Sequence, residues 1–325
     1  MLIELKSDLF AKNSNLQEVN QLLGLFSDRY RYDYFCEFTE ILDSELFLNL
    51  PHTEREIAEQ HYNRVILESL TPNYTVSEET SDTEFNILEA KRFFNQPLII
   101  ILENNLNDGF FLDSLLSVFE EEGSEIKRQK ENGWVEYGNA GGCGNIKNFI
   151  EARKANFAIL PKREHKYLRL YVLIDSDKRY PNDKSASRVK LEEYLRENNV
   201  PFHILEKREI ENYIPDEIIG TIVGHDEYIN AYKALNSIPK DYFDIEKGFQ
   251  NKNRNKLDVE ILNLYQDLSD QSYKALKNKM NYKNIKSEFP KLFLSATKAQ
   301  LKQRTAHQEN PRELEDLLAK ITELI

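Results

Sequence analysis

The chain has 325 residues with 43 Lys+Arg against 55 Asp+Glu, a formal net charge of −12; 40% of it is hydrophobic, 30% charged, and it holds only 11 Gly and 10 Pro. Such a composition excludes wholesale disorder, because enough apolar surface can be buried to offset the ordering entropy, and at roughly 100–200 residues per domain the length predicts about two domains. Two cysteines, Cys36 and Cys143, exclude a disulfide framework and a Cys-rich zinc site; no apolar run approaches the ~20 residues that span a bilayer, and the early acids of MLIELKSDLF fit no signal peptide, so a cytoplasmic protein without a membrane partner is expected.

Along the chain, 1–95 mixes helical and strand-like patterns. The stretch 26–48, rich in Tyr, Phe and Leu, fits strand or helix, whereas 54–70 spaces its apolar residues by three and four, as an amphipathic helix does. The polar run 71–83 reads as a loop and a boundary region. At 97–102 a short continuous apolar run predicts a parallel strand buried on both faces. An amphipathic helix (110–122), a strand (134–138), a Gly-rich turn (138–144) and a helix (145–156) follow. Then come a second buried strand at 168–174, a polar loop at 176–184, a helix over 185–198, a strand at 200–205 and helix-like residues from about 209. Strands alternating with helices predict an α/β fold with a parallel sheet flanked by helices. The organisation expected is a mixed region at 1–95, an α/β unit at 96–220 and an α-rich, partly basic region at 221–325.

Charge is unevenly spread. Residues 1–125 hold 8 basic and 25 acidic side chains; 126–325 hold 35 and 30. Within 271–304 there are nine Lys/Arg, among them Lys277, Lys279, Lys283 and Lys286, against the single acid Glu288. Phosphate binding depends on local potential, so a basic face can engage nucleic acid on an acidic protein; a solvated helix face explains the same run equally well.

Acids stand at the ends of the predicted strands. Glu103 follows the first apolar run, Asp175-Ser176-Asp177 the second, and Lys207, Glu209 and Glu211 the third. One such acid means little, and an Asp-x-Asp pair is often a turn or cap. Together they place carboxylates where open parallel sheets form sites. Crowded carboxylates repel and need cations, and hard divalent ions take oxygen ligands. By contrast His52, His61, His165, His203, His225 and His307 show no zinc-ligand spacing. Within its strand run His203 reads as a core histidine, and Cys143, with no base beside it, as a small filler.

The ordered set Ile-Ile-Ile-Leu-Glu103, Asp108-Gly109, Gly141-Gly142-Cys143-Gly144-Asn145, Leu-Ile-Asp175-Ser176-Asp177 and Arg208-Glu209-Ile210-Glu211-Asn212-Tyr213-Ile214-Pro215 resembles the TOPRIM domain, most closely that of the OLD-like and defence-associated nucleases of bacteria. The resemblance covers about 96–220. It departs from the usual Glu-Gly-x-x-Asp pattern, because Asn104 replaces the Gly and Asn107 the second acid, with Asp108 one place later. It implies a TOPRIM-like sheet and a nuclease using Mg²⁺ or Mn²⁺, two ions in all. Glu103, Asp175 and Asp177 would be catalytic metal ligands, Glu103 doubling as general base. Asp108 is a weaker candidate ligand, Glu209 or Glu211 would complete the second metal, and Lys207 or Arg208 would offset charge on the phosphate. The partners implied are DNA or RNA, a separate ATPase (this chain has no phosphate-binding loop of the Walker type) and a second copy of the chain. Antiphage defence is the implied setting; the alternatives are an inactive nucleic-acid-binding regulator and a tRNA-cleaving effector.

Overall fold

The computed structural model describes residues 1–28, 31–160, 164–280, 282 and 288–325. Two four-stranded, all-parallel sheets flanked by helices organise it. The first sheet has the order β2-β1-β3-β4, from β1 (Leu2–Leu5), β2 (Asp33–Cys36), β3 (Tyr74–Val76) and β4 (Glu84–Phe85), with helices α1 (Leu16–Ser27), α2 (His52–Glu68) and α3 (Ile87–Phe94) around it. Its core is aromatic, built on Phe26, Tyr32, Phe85 and Phe94 among others. The loop expected at 71–83 is corrected here: 74–76 is strand β3, because Thr75 and Val76 register against Glu4 and Leu5 of β1. Nor does this core end with the N-terminal region, since Leu160 and Tyr167 pack into it.

The second sheet has the order β6-β5-β7-β8, from β5 (Leu98–Leu102), β6 (Val135–Asn139), β7 (Leu170–Ile174) and β8 (Phe202–Ile204). Every residue of β5 and β7 is buried, which is why these two strands read as unbroken apolar runs. Their side chains alternate between two cores. Leu98, Ile100, Leu102, Tyr171 and Leu173 face one core with helices α4 (Asn105–Val118) and α5 (Glu120–Glu131). Ile99, Ile101, Val172 and Ile174 face the other with α6 (Ile146–Ala155) and α7 (Ala186–Glu197). The single helix expected at 110–122 is two, breaking at Phe119 (φ −102°, ψ 65°). From Asp216 on, short helices including α8 (Asp226–Lys233), α9 (Lys298–Thr305) and α10 (Glu313–Thr322) add to the first of these cores, so the C-terminal region covers a face of the sheet. Because β5 and β7 are neighbours while the chain leaves β5 for β6 on one side and β7 for β8 on the other, a crevice opens beyond the carboxyl ends of β5 and β7.

Candidate active site

Glu103 is the first residue after β5, and a turn of glycines wraps it. Gly141 and Gly142 hold φ of +71° and +109°, values that favour glycine. This lets the Gly142 N–H reach the Glu103 carbonyl at 2.9 Å and the Cys143 N–H reach Glu103 Oε2 at 3.1 Å. After β7, Asp175 Oδ1 accepts the Ile210 N–H at 2.9 Å. Glu209 caps the turn Ile210–Tyr213, and its own N–H donates to Asn212 Oδ1 at 2.9 Å. Asp108, in the first turn of α4, accepts the Asn104 N–H at 2.8 Å, so it caps the helix while also facing the crevice.

These segments surround a cavity of about 620 Å³ lined by Glu103, Asp108, Asp175, Glu209, Glu211 and Glu246, with Asn104, Asn107, Asn139 and Lys247 among the rest. Among the described residues, six carboxylates thus share the wall with one ammonium group. Burial, then Glu211, Glu103, Asp108 and Glu209, hold the Asp175 carboxyl well above the usual carboxylate range. Burial also lifts Asp108 to about 7 and Glu209 to about 8, with Asp244 adding to the latter. Each ionised neighbour makes the next more costly, which is the condition a bound cation relieves. Among the described residues, no three His, Cys, Asp or Glu side chains are already gathered as a metal cage. The acids line the crevice without closing on one point.

The expected set therefore divides. Glu103, Asp108, Asp175, Glu209 and Glu211 come together. Asp177 is absent from the lining: it holds φ +54°, donates its N–H to the Arg208 carbonyl at 2.9 Å, and its Oδ2 meets Arg188 Nη2 at 2.5 Å. Lys207 is also elsewhere. Its ammonium is buried, 2.7 Å from Asp241 Oδ1, and Arg304 and His307 bind the same aspartate. Arg208 pairs with Asp244 at 3.0 Å. Lys277 donates to Asn253 Oδ1 at 2.8 Å and Lys279 is exposed; Lys283 and Lys286 lie outside the described residues. Two described residues of the basic stretch do lie at the crevice: the Met280 N–H donates to the Glu246 carbonyl at 3.0 Å and Phe289 lines the cavity.

Sequence reasoning missed Glu246 and Lys247 of the cavity wall and, beside it, Arg188. Arg188 lies in the first turn of α7, is 6% exposed, and its guanidinium joins Glu103 Oε1 (2.8 Å), Asp177 and the Cys143 sulfur. Nothing in the polar run before α7 marks it. Burial lifts the Cys143 thiol to about 11, so it stays protonated. His203 Nε2 lies 2.9 Å from Glu313 Oε1.

No family model, curated protein or solved structure matches the chain. No helix among the described residues is long and apolar enough to cross a membrane.

Proposed function

We propose that the chain is a divalent-metal-dependent phosphodiester hydrolase, a TOPRIM-like nuclease acting on DNA or RNA. The observation that carries the proposal is the cavity beyond β5 and β7, where, among the described residues, six carboxylates face one ammonium group and several carboxyls are held above their usual range. An all-oxygen donor set suits Mg²⁺ or Mn²⁺, and such ions need only one or two protein carboxylates beside water and substrate phosphate, so acids spread around a crevice fit them. Glu103 and Asp175 are the principal ligands, with Asp108, Glu209 and Glu211 in reach of the same space. Two such ions held there would supply an activated water and a counter-charge for the leaving oxygen.

The chain's own groups set up that chemistry. Arg188 and the Cys143 N–H fix both oxygens of Glu103, and the Ile210 N–H fixes Asp175, so neither carboxylate has to find its orientation when substrate arrives. Lys247, the cation among the described residues of the wall, lies 3.8 Å from Asp244 Oδ2 and would meet a phosphate in the crevice. The resemblance to the TOPRIM domain supports this reading and adds antiphage defence, with a separate ATPase, as its setting.

A second reading, a binding protein that does not cut, is favoured by Arg188, which already gives Glu103 and Asp177 a counter-charge. Incubating the purified chain with plasmid, linear DNA and total tRNA, in Mg²⁺ or Mn²⁺ and in EDTA, separates the two. Cleavage that needs metal and disappears in Glu103→Ala and Asp175→Ala supports the nuclease. Cleavage that survives both substitutions rejects the site, and binding without cleavage in any metal selects the second reading.

A further inference from the structure

The carboxylate crevice is not acidic all round. Among the described residues its lining holds three amide side chains, Asn104, Asn107 and Asn139, and they come from adjoining turns. Asn139 ends β6 in register with Leu102, the last residue of β5, and Asn104 and Asn107 belong to the turn that leads from β5 into α4. The backbone of that turn is already satisfied: the Asn107 and Asp108 N–H groups donate to the Asn104 carbonyl at 3.1 and 2.8 Å, and the Asn104 N–H donates to Asp108 at 2.8 Å. What the turn presents is therefore its side chains. No side-chain hydrogen bond joins Asn104 or Asn107 to another described residue, and Asn139 uses only Oδ1, which accepts the Gly141 N–H at 3.1 Å. Each amide offers donors and acceptors together.

Between the two amides of the turn stands Leu106, 76% exposed and lining the same cavity. A lone exposed leucine is ordinary; one set among uncommitted amides in the wall of a cavity makes a surface that is apolar on one part and hydrogen-bonding on the next. The described cations nearby are engaged with acids: Arg188 with Glu103 and Asp177, Arg208 with Asp244. The groups this wall leaves for a ligand are thus neutral. A flat apolar face with donors and acceptors along its edge is what such a wall fits, and that is the chemistry of a nucleobase. In a duplex the faces are stacked and covered, so only an unpaired base can lay its face on Leu106.

We propose that Asn104, Leu106, Asn107 and Asn139 form a nucleobase subsite, which makes the substrate a single strand. The assignment rests on the hydrolase reading and names its substrate class. Leu106 carries the face of the base and the amides its edge. Because Glu103 stands three positions before Leu106, the base belongs to a nucleotide flanking the bond that is cut. Phosphate contacts position a strand without reading it, whereas contacts to a base can, so this wall is also where a sequence preference would arise.

The test compares two fluorescein-labelled oligomers of equal length by anisotropy: an ordinary single strand, and one built of abasic sugar-phosphate units, which keeps every phosphate and lacks every base. Ca²⁺ replaces Mg²⁺, and strand length is checked on a gel after each titration, so that cleavage does not enter. The intact strand is expected to bind about tenfold more tightly, in the lower part of what one stacked base contributes. Leu106→Ala with Asn107→Ala should remove most of that advantage. Affinity for the abasic strand and the slope of log affinity against log salt should stay as they were, because no phosphate contact is lost; an unchanged melting midpoint shows that the variant is folded. Equal affinity for the two strands, an advantage that survives the double substitution, or a duplex bound as tightly as the single strand overturns the proposal, as does absence of binding to either strand. Failure of the hydrolase reading shows separately, as a wild type that cleaves nothing in Mg²⁺ or Mn²⁺ while the intact strand still outbinds the abasic one.

Discussion

Replacing Asp241 by Asn removes one negative charge from a point where Lys207 Nζ and Arg304 Nη1 lie 2.7 Å from Oδ1 and His307 Nε2 lies 2.6 Å from Oδ2. The side chains of Lys207, Arg304 and Asp241 are 0%, 7% and 8% exposed, so solvent cannot take over from the missing carboxylate. Removing one member of a buried pair costs about 3–5 kcal/mol. Asn keeps the volume and can still accept a hydrogen bond, which puts the expected loss near the lower end, about 3 kcal/mol. Urea unfolding near neutral pH reads it directly.

The pH dependence gives the sign. Burial first, and then Arg304, pull the Lys207 ammonium down from 10.5 to about 8. Below about pH 8 the penalty for the charged lysine is fully present; between about 8 and 10.5 the unfolded chain holds more protons than the folded one, so this lysine's contribution to stability rises with pH. Above pH 9 Lys207 is largely neutral in the wild type as well, and the cost of losing Asp241 should shrink. A loss under about 1 kcal/mol at neutral pH, or one that stays the same at pH 9.5, would refute the reasoning. The cluster also bears on the site, because the Arg208 N–H donates to the Asp241 carbonyl and the Arg208 carbonyl accepts the Asp177 N–H, each at 2.9 Å.

Asp175→Asn removes a carboxyl held well above its usual range by burial and by Glu211, so in EDTA at pH 8 the variant should melt higher than the wild type even though it no longer cuts; a lower midpoint counts against a crowded acid site. Cys143→Ser should retain cleavage, and iodoacetamide should leave the wild type active at pH 7.5, because the thiol is lifted to about 11; inactivation by the reagent would reverse that reading. Gly138→Ala places a Cβ 2.8 Å from Ile99 Cγ2 and 3.0 Å from Phe149 Cζ, between the edge strand β6 and its neighbours. Its expected cost is about 1–3 kcal/mol in denaturant melts, and a neutral result would mean that this packing yields more easily than its close approach implies.

What could be read from the chain follows from how each feature is built. β5 and β7 are covered on both faces, so burial wrote them as continuous apolar runs, and Glu103 and Asp175 were legible because each sits one residue past such a run. The first sheet was obscure because its strands are two to four residues long and β3 lies inside a polar stretch. Arg188 reaches Glu103 across 85 positions and Asp241 reaches Lys207 across 34, and no local pattern records a partner at that distance. Lys207 illustrates the limit from the other side. Its place at a strand end matched a catalytic pattern, yet the helices of the C-terminal region bury it against Asp241.

Anomalous diffraction from crystals grown in saturating Mn²⁺ tests the metal site most directly. The account predicts a peak in the crevice beyond β5 and β7, within coordination distance of the Glu103 and Asp175 carboxylates, and its disappearance in Asp175→Asn. A crevice without manganese, or manganese bound only elsewhere on the molecule, would contradict it.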